Sequence, residues 1–544
     1  MSVDPSSTDP TAVDRAVGET ARKWLAVDPD PVTRSEIQML LERNDLPALR
    51  DRFGSSLQFG TAGLRGALGA GPNRMNRLVV RRAAAGLGRF LLVGDPQCTE
   101  RGVVIGHDAR HGSAEFALDT ARVLAAQGIR SLLLPPHVPT PVLAWAITEL
   151  GAAAGVMVTA SHNPPQDNGY KVYLGDGAQI IPPNDRLIAE QIDAAGFAVS
   201  LAAQDHPLIE YLGDDIVHRY AGFAAGVRLH PDVPGVSVVA TALHGVGGAL
   251  LADVLEQSGL GRPEVVVSQH EPDPLFPTVA FPNPEEPGAM DAVIDLARAR
   301  GAALALANDP DADRLGAAIP LADGDWRRLS GDEIGWLLAD HILGRTSGAD
   351  RLVVTTLVSS SLLERMARAH GVHHLETFTG FKWIGHAVLD HPGWRFVFGY
   401  EQALGYLVAP RPLDKDGISA AVMLVEVAAV ARSDGKTIEQ RLDSIRERYG
   451  DLRTAERSIP MAPVDAARRV AALASQPPER LGGFEVSGVE YHADAGLLRL
   501  WCGSARLQVR PSGTEPKVKL YAEVEGTDPS PWLDLLEQLV MSGD

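Results

Sequence analysis

The segment that is most informative about the fold begins with the uncharged run Gly151-Ala152-Ala153-Ala154-Gly155-Val156-Met157-Val158. It is followed directly by the turn Thr159-Ala160-Ser161-His162-Asn163-Pro164-Pro165. The run is short, apolar and followed by turn residues, which predicts a buried strand. Ligands bind at the carboxyl ends of strands in open parallel sheets, so the predicted position of the Ser161 hydroxyl is typical of a binding or catalytic site. Each proline restricts the residue before it, so the turn is stiff. An ordinary strand-to-loop turn has the same composition, and this segment alone leaves both interpretations open.

Strand, loop and helix patterns alternate along much of the chain. A strand is predicted at 103–105, a helix around 114–126 and a strand at 131–134, with further strands at 236–240 and 302–307. Such alternation indicates βαβ units in mostly parallel sheets. Because the pattern recurs, we expect several related α/β domains rather than one large sheet.

Length and cysteine content set the class of protein. At about 150 residues per domain, the 544 residues predict three or four domains. Two cysteines, Cys98 and Cys502, cannot build a disulfide framework or a thiolate zinc site, so we expect them to be reduced in a cytoplasmic protein. The acidic, proline-containing segment Met1–Pro10 has no apolar core behind it, which argues against a signal peptide.

Three classes of function are disfavoured by charge and patterning. The formal charge of −19, from 50 basic and 69 acidic residues, disfavours nucleic-acid binding, which needs a basic footprint. The apolar stretch 418–431 is interrupted by Glu426 and is too short to cross a bilayer. The glycines at 245–248 do not complete a dinucleotide fingerprint, so no nicotinamide cofactor is expected. Because the chain as a whole is acidic, a site for an anionic ligand would need a local concentration of Arg and Lys.

An aspartate-rich loop, residues 308–316, follows the predicted strand at 302–307. Pro310 favours an extended Asp309, and in an extended chain Asp309, Asp311 and Asp313 would lie on one side. Three carboxylates at about 4 Å repel by roughly 4 kcal/mol per pair at an effective dielectric of 20, so a dry loop needs a cation. Oxygen ligands select Mg²⁺ by preference, or Ca²⁺. The residues of this loop do not have the spacing of an EF-hand calcium loop. The remaining alternative is a solvated acidic loop.

Two segments carry the features of phosphate binding. In Phe59–Gly66 small residues surround Arg65, and in Val509–Lys517 one arginine, two hydroxyls and a glycine share a rigid turn. A guanidinium, hydroxyl donors and open backbone N–H groups together suit a phosphate. Taken singly, Phe59–Gly66 is better explained as a flexible glycine turn, and Val509–Lys517 is equally compatible with a surface turn.

Other local signals lie at expected element boundaries. Thr33 with Glu36 forms a capping-box signature, and residues 330–333 begin a helix. Residues 377–382 predict a glycine turn with a projecting lysine, and a strand at 395–400 runs into Glu401. The trio Asp414-Lys415-Asp416 precedes a helix whose N-terminus would attract an anion.

Together these segments resemble the α-D-phosphohexomutase family, the phosphoglucomutases and phosphomannomutases. The similarity covers nearly the whole chain after residue 50, with six segments in the family's order: Gly60–Gly66, Thr159–Pro165, Asp309–Gly316, Thr379–Lys382, Glu401–Gly405 and Arg510–Lys517. Residues 60–65 and 166–173 look most like the branch that includes phosphopentomutase and glucose-bisphosphate synthase.

The resemblance implies an α/β fold of three related mixed α/β domains plus a C-terminal α+β domain around a central cleft. The implied domains are a phosphoserine domain at 1–208, a metal-binding domain at 209–325, a sugar-binding domain at 326–452 and a phosphate-binding domain at 453–544.

The resemblance also implies a role for each site residue. Ser161 would carry a phosphoryl group, and Mg²⁺ would be held by Asp309, Asp311, Asp313 and the phosphorylated Ser161. Lys171 or His162 would act as acid/base, with Arg65 in the catalytic set. Substrate contacts would come from Arg314, Thr379, Gly380, Lys382, Glu401, Ala403 and Lys415, and the non-reacting phosphate would be bound by Arg510, Ser512, Gly513 and Thr514.

The implied reaction moves a phosphoryl group between the 1- and 6-positions of a hexose phosphate, glucose or mannose. It passes through a sugar bisphosphate, with glucose 1,6-bisphosphate as activator, in a monomer or homodimer. Hexose-specific members usually have serine two places after the glutamate, where this chain has Ala403, so one sugar hydroxyl loses its partner. A phosphopentomutase, a sugar-bisphosphate synthase, a phosphosugar phosphatase and a non-catalytic Ca²⁺-binding protein are the alternatives.

Overall fold

The computed structural model describes residues 10–512 and 516–542. The chain forms two compact units. The first takes the described residues up to Leu329 together with Leu404–Ser433, and the second takes Ser330–Ala403 together with the described residues from Asp434 onward.

The helices and strands follow one another in the alternation that the sequence predicts. The helices are α1 Pro10–Val27, α2 Pro31–Glu42, α3 Leu46–Phe53, α4 Arg77–Gly94, α5 Cys98–Arg101, α6 Ser113–Ala126, α7 Thr140–Glu149, α8 Asn184–Ala195, α9 Asp215–Ala225, α10 Gly248–Gln257, α11 Asp291–Arg300, α12 Gly331–Arg345, α13 Leu362–His370, α14 Phe381–Asp390, α15 Gly417–Ser433, α16 Ile438–Tyr449, α17 Pro463–Ser475 and α18 Ser530–Met541. The strands are β1 Leu64–Ala67, β2 Val103–His107, β3 Ser131–Leu133, β4 Ala154–Val158, β5 Asp167–Leu174, β6 Ile209–Tyr211, β7 Val238–Thr241, β8 Glu264–Val265, β9 Leu304–Ala307, β10 Gly316–Pro320, β11 Trp326–Arg328, β12 Arg351–Thr356, β13 His373–Thr377, β14 Arg395–Glu401, β15 Gly405–Leu407, β16 Leu452–Pro460, β17 Arg480–Leu481, β18 Phe484–His492, β19 Leu497–Cys502, β20 Ala505–Pro511 and β21 Lys517–Glu525.

The first unit contains two mixed sheets. One has the order β1-β5-β4-β2-β3-β6, in which β2 is parallel to β3 and β4 while β5 is antiparallel to β4 and β1. The other has the order β11-β10-β9-β7-β8, with β7 parallel to β8 and β9. Strands β2 and β4 are buried along their whole length, and α6 and α7 pack on both. Burial on both faces explains why these strands are continuous apolar runs rather than alternating ones.

The second unit contains one set of parallel strands and one antiparallel sheet. Strand β12 lies between β13 and β14 and is parallel to both. The C-terminal sheet has the order β16-β21-β20-β19-β18-β17 and is antiparallel throughout. Helices α17 and α18 pack on this sheet, and one apolar core joins them to it. The mixed α/β sheets and the α+β C-terminal region confirm the predicted fold class.

One helix start differs from its prediction. The capping-box signature places a helix start at Thr33, but α2 begins at Pro31 and Asp30 caps it, accepting from the Val32 N–H at 2.9 Å. The Thr33 hydroxyl instead donates to Asp28 at 2.9 Å. The predicted start of α12 is confirmed, because Ser330 and Glu333 form a complete capping box.

The apolar helix α15 contains the fully buried Glu426 that interrupts its sequence pattern. Its carboxylate accepts from Arg228 Nε at 3.0 Å and from the Leu229 and His230 N–H groups at 2.9 Å. Arg228 in turn donates to the carbonyls of Ser258, His230 and Val233. A buried charge needs a partner and further hydrogen bonds, and this pair has both. None of the helices in the described part of the chain has the length and apolar character needed to cross a membrane.

We predict that Glu426→Ala destabilises the first unit by about 3–5 kcal/mol, because it leaves the Arg228 guanidinium buried without its countercharge. Urea denaturation followed by circular dichroism measures the loss. The matched control is Glu256→Ala, which removes an exposed carboxylate that pairs with Arg262 at 2.8 Å and should cost less than about 1 kcal/mol. Equal losses in the two variants would contradict a structural role for the buried pair.

A second prediction concerns Asp332 in the first turn of α12. Burial raises the pKa of Asp332 to about 6, from an ordinary value of 3.8, although the carboxylate accepts from the Ser360 N–H and the Tyr400 hydroxyl, both at 2.8 Å. The folded state therefore holds the proton more tightly than the unfolded chain. The contribution of this bound proton to the free energy of unfolding is complete below about pH 4 and is lost as the pH rises through 6.

The Asp332→Asn variant cannot titrate, so its stability relative to the natural chain should increase by roughly 2–3 kcal/mol between pH 4 and pH 7.5. Urea denaturation of both proteins at the two pH values measures this difference. A difference that does not change with pH would contradict the prediction.

Candidate active site

The serine turn follows β4 and holds Ser161 in a left-handed conformation. Ser161 is 3% exposed and has a φ of 53°, which is uncommon for a residue with a Cβ. Its N–H donates to the Thr159 hydroxyl at 2.8 Å. The surrounding contacts therefore determine where the Ser161 hydroxyl points.

The aspartate loop follows β9 and brings its three carboxylates together. Asp309, Asp311 and Asp313 are buried, and one oxygen of each lies within 4.8 Å of the others. The convergence does not come from an extended chain, as the spacing suggested. Residues 310–311 form a turn and Ala312 has a φ of 53°.

The glycine cluster after His244 supports this loop. A Cβ on Gly245 would lie 2.4 Å from Pro310 Cα, so only glycine allows the two backbones to approach this closely. The Val246 N–H donates to the Pro310 carbonyl at 2.8 Å. The cluster that failed as a dinucleotide fingerprint therefore packs against the aspartate loop.

Ser161 meets the aspartate loop directly. Its Oγ donates to Asp309 Oδ2 at 2.9 Å, and His162 Nδ1 lies 3.2 Å from the same Oγ. Thr140, at the start of α7, donates to Asp311 Oδ2 at 2.6 Å. Two loops that are 148 residues apart in sequence thus form one cluster.

Two lysines contact the aspartate loop. Lys171 Nζ on β5 lies 2.8 Å from Asp311 Oδ2 and 3.0 Å from Asp313 Oδ2. Lys415 Nζ lies 3.2 Å from Asp313 Oδ2. Burial by itself lowers the pKa of Lys171, but Asp311 and Asp313 outweigh it and the pKa is raised.

The helix after Lys415 does not offer an open anion site, contrary to the prediction. Asp416 Oδ1 accepts from the N–H groups of Ile418 and Ser419, both at 3.0 Å, so this carboxylate already caps the start of α15. Asp414 is buried and accepts from the Tyr173 hydroxyl at 2.8 Å. The two aspartates fix the backbone on either side of Lys415.

Two arginines lie beside the serine turn and the aspartate loop. Arg65 on β1 donates to Asn163 Oδ1 at 3.1 Å. The Arg314 N–H donates to Asp309 Oδ1 at 3.0 Å, and its guanidinium donates to Glu285 at 2.9 Å. Burial, Arg314 and Arg65 hold the pKa of His162 well below its ordinary value, which favours a neutral imidazole.

The carboxylate cluster fits a hard cation. Burial, with added repulsion from Asp313 and Asp311, raises the pKa of Asp309 well above its ordinary value. Within the described residues, the buried Oδ1 atoms of Asp311 and Asp313 have no hydrogen-bond partner. Three carboxylates and a serine hydroxyl form an oxygen-only donor set of the kind that Mg²⁺ prefers.

The second unit brings together part of the predicted sugar and phosphate set. Glu401, the last residue of β14, accepts from the Gly380 N–H at 3.0 Å. Arg510 Nε lies 3.4 Å from the Tyr521 hydroxyl, and Glu401 is among the groups that raise the pKa of Arg510 against the opposing effect of burial.

The other residues of this unit that were predicted to bind the sugar or the phosphate lie in the following positions. Lys382 lies in the first turn of α14 rather than in a glycine turn, while Thr379 and Ala403 are half-buried. The Ser512 N–H donates to the Lys517 carbonyl at 2.8 Å. Gly513 and Thr514 lie outside the described residues.

Sequence reasoning missed Thr140, which had no motif around it. It also assigned no role to Arg110, which follows β2 and donates to carbonyls of the serine turn. The signal for Arg110 was present, because its segment, like that of Ser161, lies at the carboxyl end of a parallel strand.

Comparisons with known proteins agree with this arrangement. Family models of phosphoglucomutase/phosphomannomutase match in order: α/β/α domain I at residues 56–199, domain II at 224–321, domain III at 330–449 and the C-terminal domain at 459–530. A protein of Haemophilus influenzae named as a probable phosphomannomutase is 41% identical, covering 84% of this chain and 94% of that protein. The phosphopentomutase of Mus musculus is 34% identical over 97% of this chain and 94% of its own length.

A solved structure shows the same fold. It is a phosphoglucomutase/phosphomannomutase family protein from Burkholderia thailandensis, 22% identical, with a TM-score of 0.69 over 89% of this chain and 97% of that chain. The chain therefore belongs to the phosphoglucomutase/phosphomannomutase family, near its phosphopentomutase-like branch, and is a phosphotransferase-type isomerase.

Proposed function

We propose that the chain is a phosphosugar mutase that moves a phosphoryl group between the 1- and 6-positions of a hexose phosphate, glucose or mannose, with Ser161 as the phosphate carrier. The observation that carries the proposal is the 2.9 Å contact between Ser161 Oγ and one of three buried, converging carboxylates. A serine in an ordinary strand-to-loop turn would not need three buried carboxylates beside its hydroxyl. Phosphoryl transfer needs chiefly positioning and charge neutralisation, which suits this arrangement.

The reaction has two half-steps on Ser161. In the first, the bond between phosphorus and Ser161 Oγ breaks as a bond to a sugar hydroxyl forms. His162 and Lys171 are the acid/base candidates: the neutral His162 imidazole can accept the hydroxyl proton, whereas Lys171, whose pKa is raised, is protonated and would act as the acid. The product is a sugar bisphosphate. In the second half-step its other phosphoryl group passes to Ser161 Oγ, and the proton returns to the sugar oxygen that is released.

Asp309, Asp311, Asp313 and the phosphorylated Ser161 would hold Mg²⁺, which supplies charge neutralisation at the transferring phosphoryl group. Arg65, Arg314 and Lys171 add positive charge from the protein. Because Ser161 must be phosphorylated before it can act, we include glucose 1,6-bisphosphate as an activator that restores the phosphoserine.

In the second unit, we assign sugar contacts to Thr379, Gly380, Lys382, Glu401 and Ala403, with Arg314 and Lys415 contributing from the first. The 3.0 Å hydrogen bond from Gly380 to Glu401 supports their assignment to one subsite. We assign the non-reacting phosphate to Arg510, Ser512, Gly513 and Thr514. The same proposal keeps four domains at 1–208, 209–325, 326–452 and 453–544, in a cytoplasmic monomer or homodimer.

A second candidate is a phosphopentomutase, which converts a pentose 1-phosphate to its 5-phosphate. Ala403 favours it, because a methyl group offers no hydrogen bond to a sugar hydroxyl, and a relative covering nearly the whole chain carries that name. Isomerisation assays with glucose 1-phosphate, mannose 1-phosphate, ribose 1-phosphate and glucosamine 1-phosphate, with and without the bisphosphate, decide between them. Release of inorganic phosphate in place of isomerisation would instead indicate a phosphatase.

We predict that Ser161→Ala lowers the isomerisation rate by more than about 10³-fold, because it removes the atom that carries the phosphoryl group. The variant should remain folded, with only a small fall in melting temperature from the lost hydrogen bond to Asp309. The matched control is Ser131→Ala, which removes a buried hydroxyl that donates to the Ala121 carbonyl at 3.1 Å and should retain activity. Full activity in Ser161→Ala would overturn the proposal.

Metal binding gives a separate prediction. Chelation should abolish isomerisation, Mg²⁺ should restore it, and Mg²⁺ should raise the melting temperature of the metal-free protein because it binds the folded state. In Asp309→Asn the thermal shift should require a higher Mg²⁺ concentration, whereas the exposed-loop control Asp323→Asn should match the natural chain. An equal shift in both variants would exclude the aspartate loop as the site.

A further prediction addresses the sugar. Ala403→Ser should raise the ratio of kcat/KM for glucose 1-phosphate over ribose 1-phosphate by about 3- to 10-fold, the effect of one added hydrogen bond. Ala403→Val adds bulk without a hydroxyl and serves as the control. If both variants change the ratio equally, Ala403 does not act through hydrogen bonding.

A further inference from the structure

A buried arginine lies behind the serine turn and binds its backbone. Arg110 is 4% exposed, and its guanidinium donates to the carbonyls of Ser161 at 2.6 Å and Asn163 at 2.5 Å. It also donates to the carbonyls of Pro164 at 2.7 Å and Asp167 at 3.1 Å. Four carbonyls of one short segment thus share a single side chain.

The guanidinium is itself held in place. The Arg110 N–H donates to Asp108 Oδ1 at 3.0 Å, and Arg110 Nε lies 3.3 Å from Asp108 Oδ2. The Phe276 ring lies against the guanidinium, 4.9 Å from centroid to Cζ. The Asp108 N–H bonds the Val158 carbonyl at 3.1 Å, which ties this support to the end of β4. The guanidinium plane is therefore fixed by the sheet and by an aromatic ring.

The serine turn needs such support. Ser161 has a φ of 53°, and a left-handed conformation costs an L-residue roughly 1–2 kcal/mol. A buried carbonyl without a donor costs about 1–3 kcal/mol, so loss of the guanidinium would favour a rearranged turn. The planar fork of arginine can serve four carbonyls, whereas a lysine ammonium has three donors and no fixed plane.

We propose that Arg110 is the positioning residue for the phosphate carrier: its guanidinium holds residues 161–167 in the shape that keeps Ser161 Oγ against the aspartate loop. It acts through backbone carbonyls: within the described part of the chain, the guanidinium forms no hydrogen bond with Ser161 Oγ or with the carboxylates of Asp309, Asp311 and Asp313. The inference rests on the proposed role of Ser161.

The test is single-turnover phosphorylation of the full-length, dephosphorylated protein with Mg²⁺ and ³²P-labelled glucose 1,6-bisphosphate. The amplitude reports the competent fraction of molecules, and the rate constant reports how well Ser161 is positioned in those molecules. Loss of folded protein alone lowers the amplitude and leaves the rate constant unchanged.

For Arg110→Met we expect a rate constant about 10- to 100-fold lower, as a misplaced nucleophile produces. The Arg110→Lys variant should lie between Arg110→Met and the natural chain, and Phe276→Leu should cause a smaller loss. The KM for the phosphosugar should not change, because the assigned sugar and phosphate contacts are intact.

The matched control is Arg82→Met. Arg82 donates to the carbonyls of Gly196 and Ile192 and lies 4.9 Å from the Phe197 ring, so it has the same kinds of partner away from the serine turn. Its rate constant should equal that of the natural chain.

An unchanged rate constant in Arg110→Met and Arg110→Lys, with or without a loss of amplitude, would overturn the inference. If Arg110→Met does not fold, Arg110→Lys and Phe276→Leu decide it by the same criterion. Absence of label on Ser161 in the natural chain would instead overturn the proposed function, so the two failures are distinguishable.

Discussion

Repulsion among three buried carboxylates is the constraint on which the rest of the first unit depends. Asp309, Asp311 and Asp313 place oxygen atoms within 4.8 Å of one another in a region that excludes water. Such an arrangement is stable only if positive charge or hydrogen-bond donors reach it from elsewhere. Lys171 reaches it from β5 and Lys415 from the segment before α15, a helix that packs on α9, α10 and β9 in the same unit.

Backbone strain is concentrated at the same place. Ser161 and Ala312 both have a φ of 53°, one in each of the two loops that meet. Strained residues persist only where their surroundings determine them, and here the surroundings are specific. Arg110 and the Thr159 hydroxyl hold the first, while the Ala312 carbonyl accepts from Gly417 at 3.2 Å and its N–H bonds the Asp309 carbonyl at 2.9 Å.

The sequence predicted the local features of this cluster and missed most long-range ones. Strand ends, the stiff serine turn and the acidic loop follow from patterns within a few residues, and in the structure the side chains of the two loops converge. The contact of Thr140 with Asp311 spans 171 positions and has no local signature. The predicted start of α2 at Thr33 failed for a different, local reason: Asp30 rather than Thr33 caps the helix, and Pro31 is its first residue.

The charge of the whole chain and the charge of the site have opposite effects on an anionic substrate. A chain of net charge −19 repels a phosphosugar at a distance, so binding depends on cations within roughly one Debye length of about 8 Å. Arg65, Arg314, Lys171 and Lys415 supply them around Ser161. On the proposed function, a phosphoryl group of about −2 at Ser161 would lie beside Asp309, so phosphorylation and cation binding favour each other reciprocally.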